Sequence, residues 1–168
     1  MDGCHHYDKT AEVQERIIQE TYFACDRLGV YLEGTLLKPS MTCCGAECPD
    51  KVTPKDVARK TIEVMLKSVP EEVAGIVFLS GGLSEEAASI YLSEMNNVVV
   101  DTPWTVSFSY GRALQHSCLK AWVGGNIPAG QAALIARAQA NSEASRGVYV
   151  PNSQPSSDEK LFVAGYTY

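Results

Sequence analysis

Apolar residues return along this chain in three rounds of one pattern: an amphipathic helical stretch, a short turn, and a brief apolar run closed by polar residues or glycine. Over 10–28 the apolar positions Val13, Ile17, Ile18, Tyr22 and Cys25 recur at three- and four-residue spacing, which predicts a helix stopped by Gly29. An apolar strand is expected over 30–37. Pro39 closes it, because proline lacks a donor and disfavours helix at Lys38, leaving that lysine at the C-terminal end of the strand.

The second round opens with a loop over 40–52 and the start signal Thr53-Pro54-Lys55-Asp56, with threonine as N-cap and proline at the first helical position. Val57, Ile62, Met65 and Leu66 mark the inward face of that helix, which ends before Pro70. A strand over 75–80 follows and is broken by Gly81-Gly82. Ser84 then caps a helix over 85–95 with Glu85 and Glu86 in its electropositive first turn. The third round gives a strand over 104–109, the turn Tyr110-Gly111-Arg112, and a helix over 113–122. A loop over 124–128 leads to an Ala-rich helix over 129–145. Residues 150–168, with Pro151, Pro155 and a Ser-Ser-Asp cluster, read as a flexible C-terminal tail on a body formed by 1–149.

Helices alternating with short apolar strands imply parallel strands joined by right-handed crossovers, so the fold class is α/β. Composition narrows the function. Twenty acidic against 14 basic side chains give a net charge of −6, without the basic stripe of a nucleic-acid binder. The longest apolar run falls far short of the ~20 residues of a membrane span. The first residues, Met-Asp-Gly-Cys-His-His, show neither the basic head nor the apolar core of a signal peptide. The six cysteines, at 4, 25, 43, 44, 48 and 118, form no paired framework and read as reduced thiols. Cys43, Cys44 and Cys48 could be assembled with Cys4, His5 and His6 into a zinc site on paper. The C-x-x-C pairs that support such a site are absent, so no metal is expected.

Ligands of α/β folds bind at the C-terminal ends of the strands. Three groups stand there. Ser80-Gly81-Gly82 leaves backbone N–H groups unobstructed just before a helix N-terminus, an arrangement that favours an anion, although a plain strand-to-helix turn has the same letters. Ser109-Tyr110-Gly111-Arg112 repeats it and adds a guanidinium able to grip phosphate bidentately. Lys38 is the third. A surface lysine is the default reading. Partial burial in the crevice, or a neighbouring cation, would instead favour the neutral amine that attacks a carbonyl. Lysine, serine–glycine bends and arginine on one rim describe a Schiff-base enzyme for a phosphorylated carbonyl compound.

Three stretches carry a resemblance: Tyr31-Leu-Glu-Gly-Thr-Leu-Leu-Lys-Pro-Ser-Met41, Phe78-Leu-Ser-Gly-Gly-Leu-Ser-Glu-Glu-Ala-Ala-Ser89 and Ser107-Phe-Ser-Tyr-Gly-Arg-Ala-Leu-Gln115. Together with the Gly-Tyr-Thr-Tyr end, they resemble the C-terminal half of class I fructose-bisphosphate aldolase, in order and over nearly the whole chain. The tail and the Cys118-Leu-Lys-Ala-Trp segment look closer to plastid than to animal members.

The resemblance implies a partial (β/α)8 barrel holding the last three strand–helix units. It implies Lys38 as the Schiff-base lysine, and Tyr168 as the C-terminal tyrosine that folds over the site and assists proton transfer. Ser80, Gly81, Gly82, Ser109, Gly111 and Arg112 would form the phosphate pocket. It further implies reversible cleavage of fructose 1,6-bisphosphate to dihydroxyacetone phosphate and glyceraldehyde 3-phosphate without cofactor or metal, a homo-oligomer, and a cytoplasmic or plastid-stromal setting.

The family's aspartate, two further lysines and acid/base glutamate fall upstream of Met1, and neither Glu33 nor Glu47 lies on those motifs. Activity of the short chain is therefore expected to suffer, since a missing acid/base group lowers rates by ~10²–10⁴-fold. Three parallel strands also leave two unpaired edges, which favour association with another copy or with full-length subunits. The alternative expectation is a non-catalytic remnant that binds sugar phosphate or joins such subunits.

Overall fold

The structure is a computed structural model, and it describes residues 1–98 and 101–165. The elements run in chain order as α1 (Tyr7–Arg27), a 3-10 turn (Leu32–Gly34), β1 (Leu36–Leu37), α2 (Pro54–Ser68), β2 (Gly75–Phe78), α3 (Glu85–Asn96), β3 (Thr105–Phe108), α4 (Arg112–Trp122) and α5 (Ile127–Ala144). The strands form one parallel sheet in the order β1-β2-β3. The α/β reading holds among the described residues.

Local chemistry explains most boundaries. At α2 the Thr53 hydroxyl accepts from the Asp56 N–H, and the Asp56 carboxylate accepts from the Thr53 N–H, a complete capping box with Pro54 behind it. α3 starts where the Ser84 hydroxyl accepts from the Ala87 N–H at 3.1 Å. α5 starts earlier than expected. The Asn126 side chain caps it and Pro128 sits in its first turn, so the expected loop over 124–128 loses its second half to the helix. α1 likewise begins at Tyr7 rather than Thr10, with the His6 ring as cap.

The first strand is the main correction. The run over 30–37 pairs only at Leu36 and Leu37, because the chain coils into a 3-10 turn just before them. That turn is closed by Thr35, whose N–H and hydroxyl both donate to the Leu32 carbonyl, at 2.9 and 2.7 Å.

Register divides the sheet into two unlike faces. Leu36 pairs with Gly75 and Leu37 with Ile76; Ile76 pairs with Val106 and Phe78 with Phe108. Ile76, Phe78 and Val106 are buried in the core among Ile62 and Met65 of α2 and Leu92 of α3. The opposite face carries Leu36, 61% exposed, with Val77, Thr105 and Ser107. Side chains alternate along a strand. One face of this sheet is therefore a packed core, and the other lacks a covering layer among the described residues.

The segment over 150–165, expected as a mobile tail, is hydrogen-bonded along its length to α3, α4 and the turn before α3. Leu161 is buried and its N–H donates to the Gly82 carbonyl at 3.0 Å. Glu159 accepts from Lys120 at 2.6 Å and lies 3.1 Å from the His116 ring. No helix among the described residues is long and apolar enough to cross a membrane.

Candidate functional site

The C-terminal ends of the three strands lie side by side. The Leu79 N–H donates to the Pro39 carbonyl at 3.0 Å, and the Ser109 N–H donates to the Phe78 carbonyl at 2.9 Å. Beyond these ends a cavity of about 310 Å³ opens, a volume suited to a small ligand.

Its floor is the turn over 80–83, which the Leu83 N–H closes by donating to the Ser80 carbonyl at 2.9 Å. Gly81 and Gly82 have φ of +57° and +89°, a conformation that side chains strain. Space adds a second demand at Gly82, where a Cβ would lie 2.7 Å from the Cα of Phe162. The turn runs directly into the N-terminus of α3, so the helix dipole favours negative charge beside Ser80 and Gly81.

The second wall is the loop after Pro39, which brings in Ser40, Met41 and Cys43. α1 holds it by side chains. The Gln14 amide donates to the Ser40 carbonyl and hydroxyl at 2.9 and 2.8 Å, and the Thr10 hydroxyl donates to the Cys43 carbonyl at 2.7 Å. Burial pushes the Cys43 thiol up to about 12, so it stays protonated at neutral pH. Arg112, in the first turn of α4, supplies a guanidinium to the lining, while Asp2 contributes an acid. Phe162 and Val163 close the outer side. The Arg112 guanidinium donates to the Leu161 carbonyl, which ties it to that outer wall.

The expected site residues separate into groups. Ser80, Gly81 and Arg112 line the cavity together, and Gly82 backs it against Phe162. Ser109 and Gly111 stand at the neighbouring strand end and helix start but do not line it. Lys38 is exposed and is not part of the lining either. By strand alternation it falls on the uncovered face with Leu36, so the partial burial considered for it is not found. Tyr168 lies outside the described residues. Thr10, Cys43, Phe162 and Val163 joined the cavity without any signal in their local sequence. Among the described residues no group of three or more His, Cys, Asp or Glu could hold a metal ion.

A buried polar cluster supports the outer wall. Glu85 is fully buried and Glu86 nearly so. Glu86 accepts from the Tyr149 hydroxyl at 2.7 Å, the Asn152 N–H at 2.8 Å and the Ser156 hydroxyl at 2.8 Å. Glu85 accepts from the Ser117 N–H and the Ser157 N–H, both at 2.9 Å, and from the Ser117 hydroxyl. Arg137, also fully buried, donates to the Glu85 carbonyl at 2.8 Å and the Ser89 hydroxyl at 2.6 Å. Burial works to raise the Glu86 carboxyl. The bonds from Asn152, Tyr149 and Ser156, with the charge of Arg137, outweigh it and hold the group below the usual range. Burial first and Glu86 second push the Tyr149 phenol up to about 12.

Comparison with known proteins gives the following. The family model described as "Fructose-bisphosphate aldolase class-I" matches residues 1–168. Fructose-bisphosphate aldolase B of Gallus gallus is 48% identical over 171 residues, covering 99% of this chain and 47% of its own length. Fructose-bisphosphate aldolase 2, chloroplastic, of Arabidopsis thaliana is 46% identical, covering 100% and 42%. A bird protein and a chloroplast protein match almost equally, so these identities do not carry the plastid leaning. In solved structures, fructose-bisphosphate aldolase from Plasmodium falciparum, crystallised with TRAP and a small-molecule inhibitor, matches with TM-score 0.86 and 41% identity, over 90% of this chain and 44% of that one. The chain spans about half the length of the relatives it matches.

Proposed function

Because the chain belongs to the class I fructose-bisphosphate aldolase family, we propose that its site carries out the sugar-phosphate half of a Schiff-base aldolase. The architecture is then part of a (β/α)8 barrel over 1–149, holding the last three strand–helix units. The segment over 150–165 closes on its rim, and Tyr168, outside the described residues, would assist proton transfer. The uncovered sheet face becomes the barrel interior, which explains why Lys38 shares that face and is open to solvent here.

The observation that carries this reading is the convergence of Ser80, Gly81 and Arg112 on one cavity beside the strand end that bears Lys38. The phosphate of dihydroxyacetone phosphate or of fructose 1,6-bisphosphate would rest on the Ser80–Gly82 bend and Arg112, with Ser109 and Gly111 at its edge. Charge-assisted bonds from guanidinium and amides make this grip strong. The neutral Lys38 amine would attack the substrate ketone and lose water to give an imine. That imine is an electron sink for breaking the adjacent carbon–carbon bond of fructose 1,6-bisphosphate, releasing glyceraldehyde 3-phosphate. No metal or cofactor enters this sequence. The setting would be the cytoplasm or the plastid stroma.

A second reading rests on the open sheet. β1 and β3 are edge strands with one bare face, so these residues could bind sugar phosphate without turnover, or join full-length subunits in a homo-oligomer-like assembly. Borohydride trapping with dihydroxyacetone phosphate separates the two. A reduced adduct on Lys38 with measurable cleavage of fructose 1,6-bisphosphate supports the enzyme. Binding without an adduct, in a folded chain, supports the second reading and removes the Schiff-base role. The 168 residues alone should cleave far more slowly than a complete aldolase, and normal enzyme rates would overturn that expectation.

A further inference from the structure

Two of the six cysteines flank one built turn. The chain reverses over 45–48, where the Cys48 N–H donates to the Gly45 carbonyl at 3.0 Å. Segment 1–5 fixes the turn from outside: the Gly45 N–H donates to the His5 carbonyl at 2.9 Å, Ala46 to Met1 at 2.8 Å and Glu47 to Gly3 at 3.1 Å. Glycine is required at 45, since a Cβ there would sit 2.2 Å from the Gly3 carbonyl oxygen. The turn carries Cys44 and Cys48 to its two ends, near enough that the Cys48 thiol bears on the Cys44 thiol. Both are half-buried and so reachable from solvent. The Cys48 thiol also lies 3.8 Å from the Asp50 carboxylate.

We propose that Cys44 and Cys48 are a modification site that closes reversibly to a disulfide by exchange with a low-molecular-weight disulfide such as oxidised glutathione. The thiolate of one cysteine attacks a sulfur of the reagent. The reagent's S–S bond breaks, one glutathione thiolate leaves, and a mixed disulfide remains. The second cysteine's thiolate then attacks the protein-bound sulfur, and the second glutathione leaves. Two protein thiols are oxidised and one reagent disulfide is reduced to two thiols, which take up the two protons released. The neighbouring Cys43 is not a partner, because burial keeps its thiol protonated. Burial, the Cys48 thiol and the charge of Asp50 raise the Cys44 thiol and outweigh the Tyr7 backbone, which lowers it, so the exchange speeds up as pH rises. Closure staples the far end of the loop whose near end, Ser40 to Cys43, walls the cavity.

The test treats the full chain with oxidised glutathione, alkylates it, and maps the peptides by tandem mass spectrometry. The expected product has Cys44 and Cys48 linked and protected from alkylation, regains both thiols with dithiothreitol, and forms unchanged in a Cys43→Ser variant. Cys48→Ser should instead stop at a stable glutathione adduct on Cys44. The proposal fails if both thiols of the folded wild-type chain remain alkylatable, if the wild type stops at glutathione adducts, or if Cys44 links to Cys4 or Cys48 to Cys43.

Discussion

Replacing Glu86 by alanine removes the acceptor of three bonds at once, from the Tyr149 hydroxyl, the Asn152 N–H and the Ser156 hydroxyl. Bonds to a charged group are worth ~1.5–3 kcal/mol each when deleted singly. They share one carboxylate and do not add, so a loss of ~3–5 kcal/mol is expected, as for breaking a buried ion pair. At this chain length that lowers Tm by roughly 6–20 °C. Urea titration at unchanged slope reads the global loss, and amide hydrogen exchange reads the local one. The N–H groups of Asn152, Ser157 and Leu161 should lose protection first. Glu86→Gln, which keeps shape and one acceptor, should fall between. Acid should mimic the change. Glu86 lies below its ordinary value when folded, so its contribution is complete above the usual carboxylate range and fades as pH falls through the lower folded value. A Glu86→Ala chain that loses under ~1 kcal/mol and keeps Asn152 protected would refute the reasoning, because the three bonds would then carry no net weight.

Other substitutions test the site and the core. Gly82→Ala combines a positive φ with a 2.7 Å clash against Phe162, so it should destabilise the chain by ~1–3 kcal/mol and expose the Leu161 amide to exchange. Arg112→Lys keeps the charge but loses the planar fork. Inorganic phosphate, measured by calorimetry, should bind on the order of tenfold more weakly or worse. Phe78→Ala empties a fully buried position and should cost ~3–5 kcal/mol by urea titration, with the residues lining the cavity themselves unchanged.

The strongest local signals are legible in the sequence, whereas the His6 and Asn126 caps that start α1 and α5 early were missed. Thr53-Pro54 marked the start of α2 and Ser84 that of α3, because caps act over three residues. The apolar runs of β2 and β3 were equally plain. β1 was not, since the 3-10 turn at Leu32 competes for the same residues, and apolar letters alone do not reveal which geometry wins. Glu85 and Glu86 were read correctly as first-turn acids of α3, yet their burial was hidden. It depends on Tyr149, Ser117 and Ser156, which approach only when α4, α5 and the following segment fold back. The cavity shows the same split. Ser80, Gly81 and Arg112 stood out by local chemistry, whereas Thr10, Cys43 and Phe162 reach it through tertiary packing. Lys38 was legible as a strand-end residue, and its exposure was not, because that depends on what covers the sheet.

The grip on Glu86 also sets an order of assembly. Its three bonds join residues 63, 66 and 70 positions apart along the chain, so each closes a long loop whose entropy opposes it until the intervening helices are docked. A chain emerging during synthesis can build the sheet and α3 well before Tyr149 exists. Until then it holds Glu85 and Glu86 at a surface that later becomes interior. The outer wall of the cavity is thus the last part to form, and whatever controls its docking also decides when the cavity is closed on that side.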